Sequence, residues 1–196
     1  MTDGGLRGTV RLVALLNLAY FGVEFAVALA IGSVSLFADS VDFLEDAAVN
    51  LLVFAALGWS AARRARTGMA LSGILAVPAL AFCWTLYGKL TVPVAPAPAP
   101  LLLAGAGALA VNLACALMLA RHRHHGGSLT RAAFLSARND VVANVAIVGT
   151  GGLTAATMSI WPDVAVGLGI AAMNADAARS VLEAAREEHR LARGTP

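Results

Sequence analysis

Long apolar runs and short polar breaks alternate along almost the whole chain. A membrane helix needs about 17–25 mostly apolar residues. Six runs meet this, at about residues 9–31, 34–59, 68–89, 101–120, 129–155 and 162–182. Gly32-Ser33 makes a tight turn between the first two. Ser60 to Thr67 forms a basic loop, and Pro78 predicts a kink in the third run. Val92 to Pro100 holds Pro93, Pro96, Pro98 and Pro100 and reads as an extended, non-helical loop. The fourth run is rich in Gly and Ala, which permits close helix packing. Ser128 or Thr130 is placed to cap the fifth run. Pro162 and Asp163 suit the first turn of the sixth. The pattern predicts an all-α, polytopic membrane protein. Residues 1–185 form one six-transmembrane-helix bundle, and 186–196 a short charged tail.

Composition agrees. The chain has 196 residues, 59% of them hydrophobic and 13% charged, against about 45–50% and 25% in a soluble domain. A net charge of +2 is too small to suggest a nucleic-acid partner, and none is expected. Cys83 and Cys115 fall inside apolar runs and read as buried thiols rather than a disulfide. The first run is too long for the core of a signal peptide and is expected to stay as a membrane helix. Positive charge sets the orientation. With the N-terminus in the cytoplasm, all thirteen arginines fall on or near the inner side, and Lys89 alone lies outside. Both termini are then cytoplasmic and the location is a cell (inner) membrane.

One apolar stretch is interrupted. Ala38-Asp39-Ser40-Val41-Asp42-Phe43-Leu44-Glu45-Asp46 puts four acids into nine residues of the second run. An acid at mid-bilayer costs roughly 2.5–3.5 kcal/mol on insertion scales. Asp42 and Asp46 are one turn apart, about 40° around a helix. At 1.5 Å per residue Asp42 lies about 12 Å and Asp46 about 18 Å below the outer end of its helix. Asp140, on a helix running the other way, lies about 16 Å above its inner end. In a core about 30 Å thick the three acids share the middle layer. They read as carboxylate ligands for a divalent cation. The other reading is that protons or Arg138 neutralise them. Because close carboxylates repel, metal binding expels protons and protons expel metal.

Other polar residues group around these three. Ser136 and Asn144 lie one turn either side of Asp140 on its face, as a weak oxygen ligand, an outer hydrogen-bond partner or plain packing. Asn139 is about 100° away and faces a neighbouring helix unless the helix turns. Asp39 is either an entry residue at the outer mouth or a packing hydrogen bond. Glu45 points away from Asp46 towards another helix. Asn17 and Glu24, seven apart, share one face of the first helix. Asp163 reads as a helix-start acid, and Asp176 pairs with Arg179. His122, His124 and His125 would collect metal or simply mark a solvated basic loop.

These residues carry a resemblance that covers nearly the full length. Ser35 to Asp46, Asn139-Asp140-Val141-Val142-Ala143-Asn144, Trp161-Pro162-Asp163, and Asn17, Tyr20 and Glu24 are similar to the cation diffusion facilitator (cation efflux) family. The resemblance implies six helices with both ends cytoplasmic. It also implies export of Zn²⁺ or a similar ion against protons by alternating access, and usually a homodimer. The implied transport site is Asp42, Asp46, Ser136 and Asp140. The family commonly has His where this chain has Ser136, so the donors here are all oxygen, which leaves Zn²⁺, Co²⁺, Mn²⁺, Fe²⁺ and Cd²⁺ open. The family usually adds a soluble domain after the sixth helix; here a short tail follows Leu182, so a homodimer would use membrane helices. The expected function is a divalent cation/proton antiporter in the lipid bilayer, with no prosthetic group. The alternative is a membrane metal-binding or partner subunit that does not transport. No HExxH or GxSxG motif supports an enzyme.

Overall fold

The computed structural model describes residues 3–56, 80–121 and 127–194. Those residues are all helix and connecting turns. The helices are α1 (Asp3–Ile31), α2 (Val34–Ala56), α3 (80–91), α4 (Pro98–Ala120), α5 (Gly127–Thr157) and α6 (Trp161–Gly194). Three stretches are long and apolar enough to cross a membrane: Arg7–Ile31, Pro98–Ala120 and Ala137–Thr157. α2 falls outside this group because it carries the acidic stretch.

The distribution of side chains is that of a membrane protein. Asn17, Glu24, Asp39 and Asn144 are fully buried, while Leu12, Leu18, Leu29, Leu103, Val142 and Leu153 are exposed. Water would favour the reverse, and lipid favours this order. Apolar packing then joins the helices in two clusters. One gathers Val34, Leu36 and Phe37 of α2 with Phe82, Leu101, Ile147 and Val164. The other sets Val13 of α1 against Cys115 and Leu119 of α4 and Ala137 of α5. α2 is the hub, touching α1, α4, α5 and α6.

Local chemistry sets the helix ends. Gly32 has φ +60, a left-handed conformation that suits glycine. The Ser33 amide donates back to the Ala28 carbonyl at 3.0 Å, closing α1 with the bond pattern of a Schellman turn. α2 then starts at once, which makes α1 and α2 an antiparallel hairpin.

Four sequence expectations change. Residues 98–100 are helical rather than extended, because Pro98 occupies the first turn, where a missing N–H costs nothing. α6 continues to Gly194, well past Leu182. Its last turns are rich in Ala, Glu, Arg and Leu, all strong helix formers, so the charged tail is a helical extension. α1 likewise begins at Asp3, ahead of the apolar run. Cys83 is exposed rather than buried, and both cysteines are free. The basic loop 63–66, the Pro78 kink and the His122–His125 loop lie outside the described residues, as do the Ser128 and Thr130 side chains.

Close approaches depend on small residues. A Cβ on Gly167 would sit 2.9 Å from the Val34 carbonyl carbon and 3.0 Å from the Ser35 nitrogen. Those are backbone atoms at the start of α2 and cannot swing aside. Gly167→Ala is therefore expected to destabilise the protein by about 1–3 kcal/mol, the usual range for overpacking. Thermal unfolding in detergent checks this. Gly149→Ala, inside α5 with nothing within 4 Å of the added Cβ, is the control and should lose no stability.

Candidate metal and proton site

The acidic stretch forms the middle turns of α2 and meets α1, α4 and α5 through polar contacts. Each α2 acid has a distinct setting. Asp42 and the Asp140 carboxyl on α5 lie within hydrogen-bonding reach of each other. Asp140 is 5% exposed, and its Oδ2 is buried with no donor. Two carboxylates that meet this way repel unless a proton or a cation lies between them. Asp46, one turn further along α2, accepts from Asn17 Nδ2 at 3.4 Å. The thiol of Cys115 on α4 donates to Asn17 Oδ1 at 3.6 Å, holding that amide in place.

A second polar chain lies one turn away. Asn112 on α4 donates to Asn144 Oδ1 at 3.2 Å. Asn144 Nδ2 donates to both oxygens of Asp39, at 2.9 and 2.7 Å. Asp39 in turn lies within hydrogen-bonding reach of Glu24 on α1. Both Glu24 oxygens are buried without a donor. Four helices are thus tied by one line of side chains at mid-bundle. Tyr20 adds a further tie, donating to the Ala104 carbonyl at 2.6 Å.

Among the residues singled out from sequence, the structure brings together Asp42 with Asp140, Asn17 with Asp46, and Glu24 with Asp39 and Asn144. Asp39 is fully buried and bonded by Asn144. Asn139 is exposed. Arg138 is also exposed, so it does not neutralise Asp140 from within the bundle. Glu45 is half-buried. Ser136 lies on α5 one turn before Asp140, and its side chain is outside the described residues. Among the described residues no three His, Cys, Asp or Glu side chains are spaced to close around an ion. Asn112 escaped the reading of the sequence, although a lone amide in the otherwise apolar α4 had to find a partner in lipid.

The polar ends of the helices are also organised. Asp163, in the first turn of α6, bonds across to the start of α2. Its Oδ1 accepts from the Ser33 hydroxyl at 2.7 Å, the Ser35 hydroxyl at 2.7 Å and the Ser35 amide at 3.0 Å. Its Oδ2 accepts from the Val34 amide at 2.8 Å. One carboxylate from the first turn of α6 therefore caps the N-terminus of α2. Lys89, at the end of α3, is close enough to attract Asp163, and its ammonium donates to the Val94 carbonyl at 2.8 Å.

Ser33, Ser35 and Asp39 at this clasped end are fully buried, whereas Asp42, Glu45 and Asp46 are each partly exposed. No curated protein matches the chain. The family description "Cation efflux transmembrane domain" matches residues 10–188, which takes in most of α1, both acid-bearing helices and most of α6. The chain therefore belongs to the cation efflux family, whose members transport divalent metal cations across membranes.

Proposed function

We propose that this protein exports a divalent cation from the cytoplasm in exchange for protons, through Asp42, Asp46 and Asp140 with Ser136 or water completing the coordination. The observation that carries this is the meeting of Asp42 and Asp140 in a buried setting, with one Asp140 oxygen lacking any donor. Such a pair is stable with a proton between the groups or with a metal ion in its place, and not empty and doubly charged. The two occupants compete for the same oxygens, so exchange is built into the electrostatics. Six spans with both termini inside would place the Ala56 end of α2 at the cytoplasm and the Asp163 clasp at the outer face. Export would then require the clasp to open.

The donors are oxygens, which favours harder ions such as Mn²⁺ and Fe²⁺ alongside Co²⁺, Zn²⁺ and Cd²⁺. The test is metal uptake into sealed vesicles holding the purified protein, under an imposed pH gradient. Uptake that rises with the gradient and collapses with a protonophore supports the antiporter. Metal affinity without uptake would overturn it in favour of a metal-binding subunit.

A further inference from the structure

The Glu24–Asp39 contact has no part in holding the metal. Asp39 is already satisfied by two hydrogen bonds from Asn144. Glu24 is fully buried, comes from a different helix, and meets Asp39 oxygen to oxygen with no donor of its own. The groups that face the pair are Tyr20 from α1, Asp42 and Asp46 from α2, and Asp140 from α5. α4 contributes the neutral Asn112, through Asn144. α6 contributes the neutral Asn174, whose amide donates to the Ala38 carbonyl at 3.3 Å. None of these is cationic, so within the described residues a proton is what makes the Glu24–Asp39 contact attractive.

We propose that Glu24 and Asp39 form a proton-binding site of their own, distinct from the metal carboxylates, and that it gives up its proton when the divalent ion binds one turn away. This rests on the cation/proton exchange set out above. The Glu24 O–H bond breaks, its electron pair stays on the carboxylate, and the proton leaves to water. Charge balance argues for it. A divalent ion adds two positive charges to a low-dielectric interior, where uncompensated charge is costly. Loss of one proton from Asp42–Asp140 removes one of them. Loss of a second from Glu24–Asp39 makes the exchange neutral. Asn144 couples the two sites, because it bonds Asp39 from a position one turn along α5 from Asp140.

The experiment titrates purified full-length protein with Zn²⁺ and with Mn²⁺ in weakly buffered detergent, reading heat and proton release together at several pH values. Wild type should release about two protons per ion, one from each pair. In Glu24→Gln the amide donates to Asp39 in place of the shared proton. This variant should bind metal within about threefold of wild type and release about one proton fewer. Asp39→Asn, measured in parallel, should show the same deficit. The fall of log Kd with rising pH in the wild type provides a reading that needs no variant: a slope near minus two supports the second site, and a slope near minus one overturns it. Equal proton release by wild type and Glu24→Gln also overturns it, while leaving the antiporter intact. A wild type that binds metal and releases no proton would instead bring down the exchange reading itself.

Discussion

Asp42→Ala and Asp140→Ala should each reduce gradient-driven metal uptake to the level of protein-free vesicles. The expected loss of metal affinity is at least about hundredfold, or about 2.8 kcal/mol. Removing either carboxylate takes away a ligand charge from a site with few donors. It also removes the partner that makes the proton competitive with metal. The effect should be on transport before stability, because an isolated acid in the bundle interior becomes protonated rather than remaining charged. Asp42→Asn sharpens the test. Its amide donates to Asp140 without needing a proton, so the α2–α5 contact survives while the ligand charge does not. A folded Asp42→Asn protein without uptake supports the carboxylate role, and uptake at the wild-type rate in Asp42→Ala and Asp140→Ala would refute it.

The second large effect should come from the clasp. Asp163→Ala deletes four hydrogen bonds to one buried carboxylate, and with them the cap of α2. Single hydrogen bonds to charged groups contribute about 1.5–3 kcal/mol and are not additive, so roughly 3 kcal/mol of destabilisation is expected. Ser33, Ser35 and the first amides of α2 are left buried without an acceptor, and Lys89 loses its attractive partner. The measurement is thermal unfolding in detergent. Asp163→Asn should retain part of the stability, since the amide oxygen still accepts. A midpoint unchanged in Asp163→Ala would show that the clasp is not a stabilising feature. Where the alanine variant folds, accessibility of a cysteine placed at Ser33 should rise, because this is the end that must open for release.

Much of the candidate site was legible before any tertiary contact was known. Helical rise is constant and the bilayer core has a set thickness, so the positions of Asp42 and Asp140 along their own helices already put them at one depth. Their meeting follows once α2 and α5 are neighbours. The seven-residue spacing of Asn17 and Glu24 likewise put both on one face of α1. What periodicity could not supply is which helices lie side by side. A buried amide must find a partner, but nothing in the sequence says that Asn112 finds Asn144 or that Cys115 finds Asn17. For Asp39, depth alone left an outer mouth and a packing contact both open, and only the tertiary structure shows Asn144 bonded to it across the interface.

By itself, then, the chain determined its helices, its membrane setting and the layer in which the acids lie, because these follow from apolar run length, helical geometry and the cost of charge in lipid. Only the tertiary structure decided the pairing. It brought Asp42 to Asp140, Asp46 to Asn17, and Glu24 to Asp39. It also turned Asp163 from the start of its own helix into a clasp on α2. The physical reason is that hydrogen bonds and carboxyl contacts act over a few ångströms, so their partners are set by lateral packing, which residue spacing along one helix does not encode.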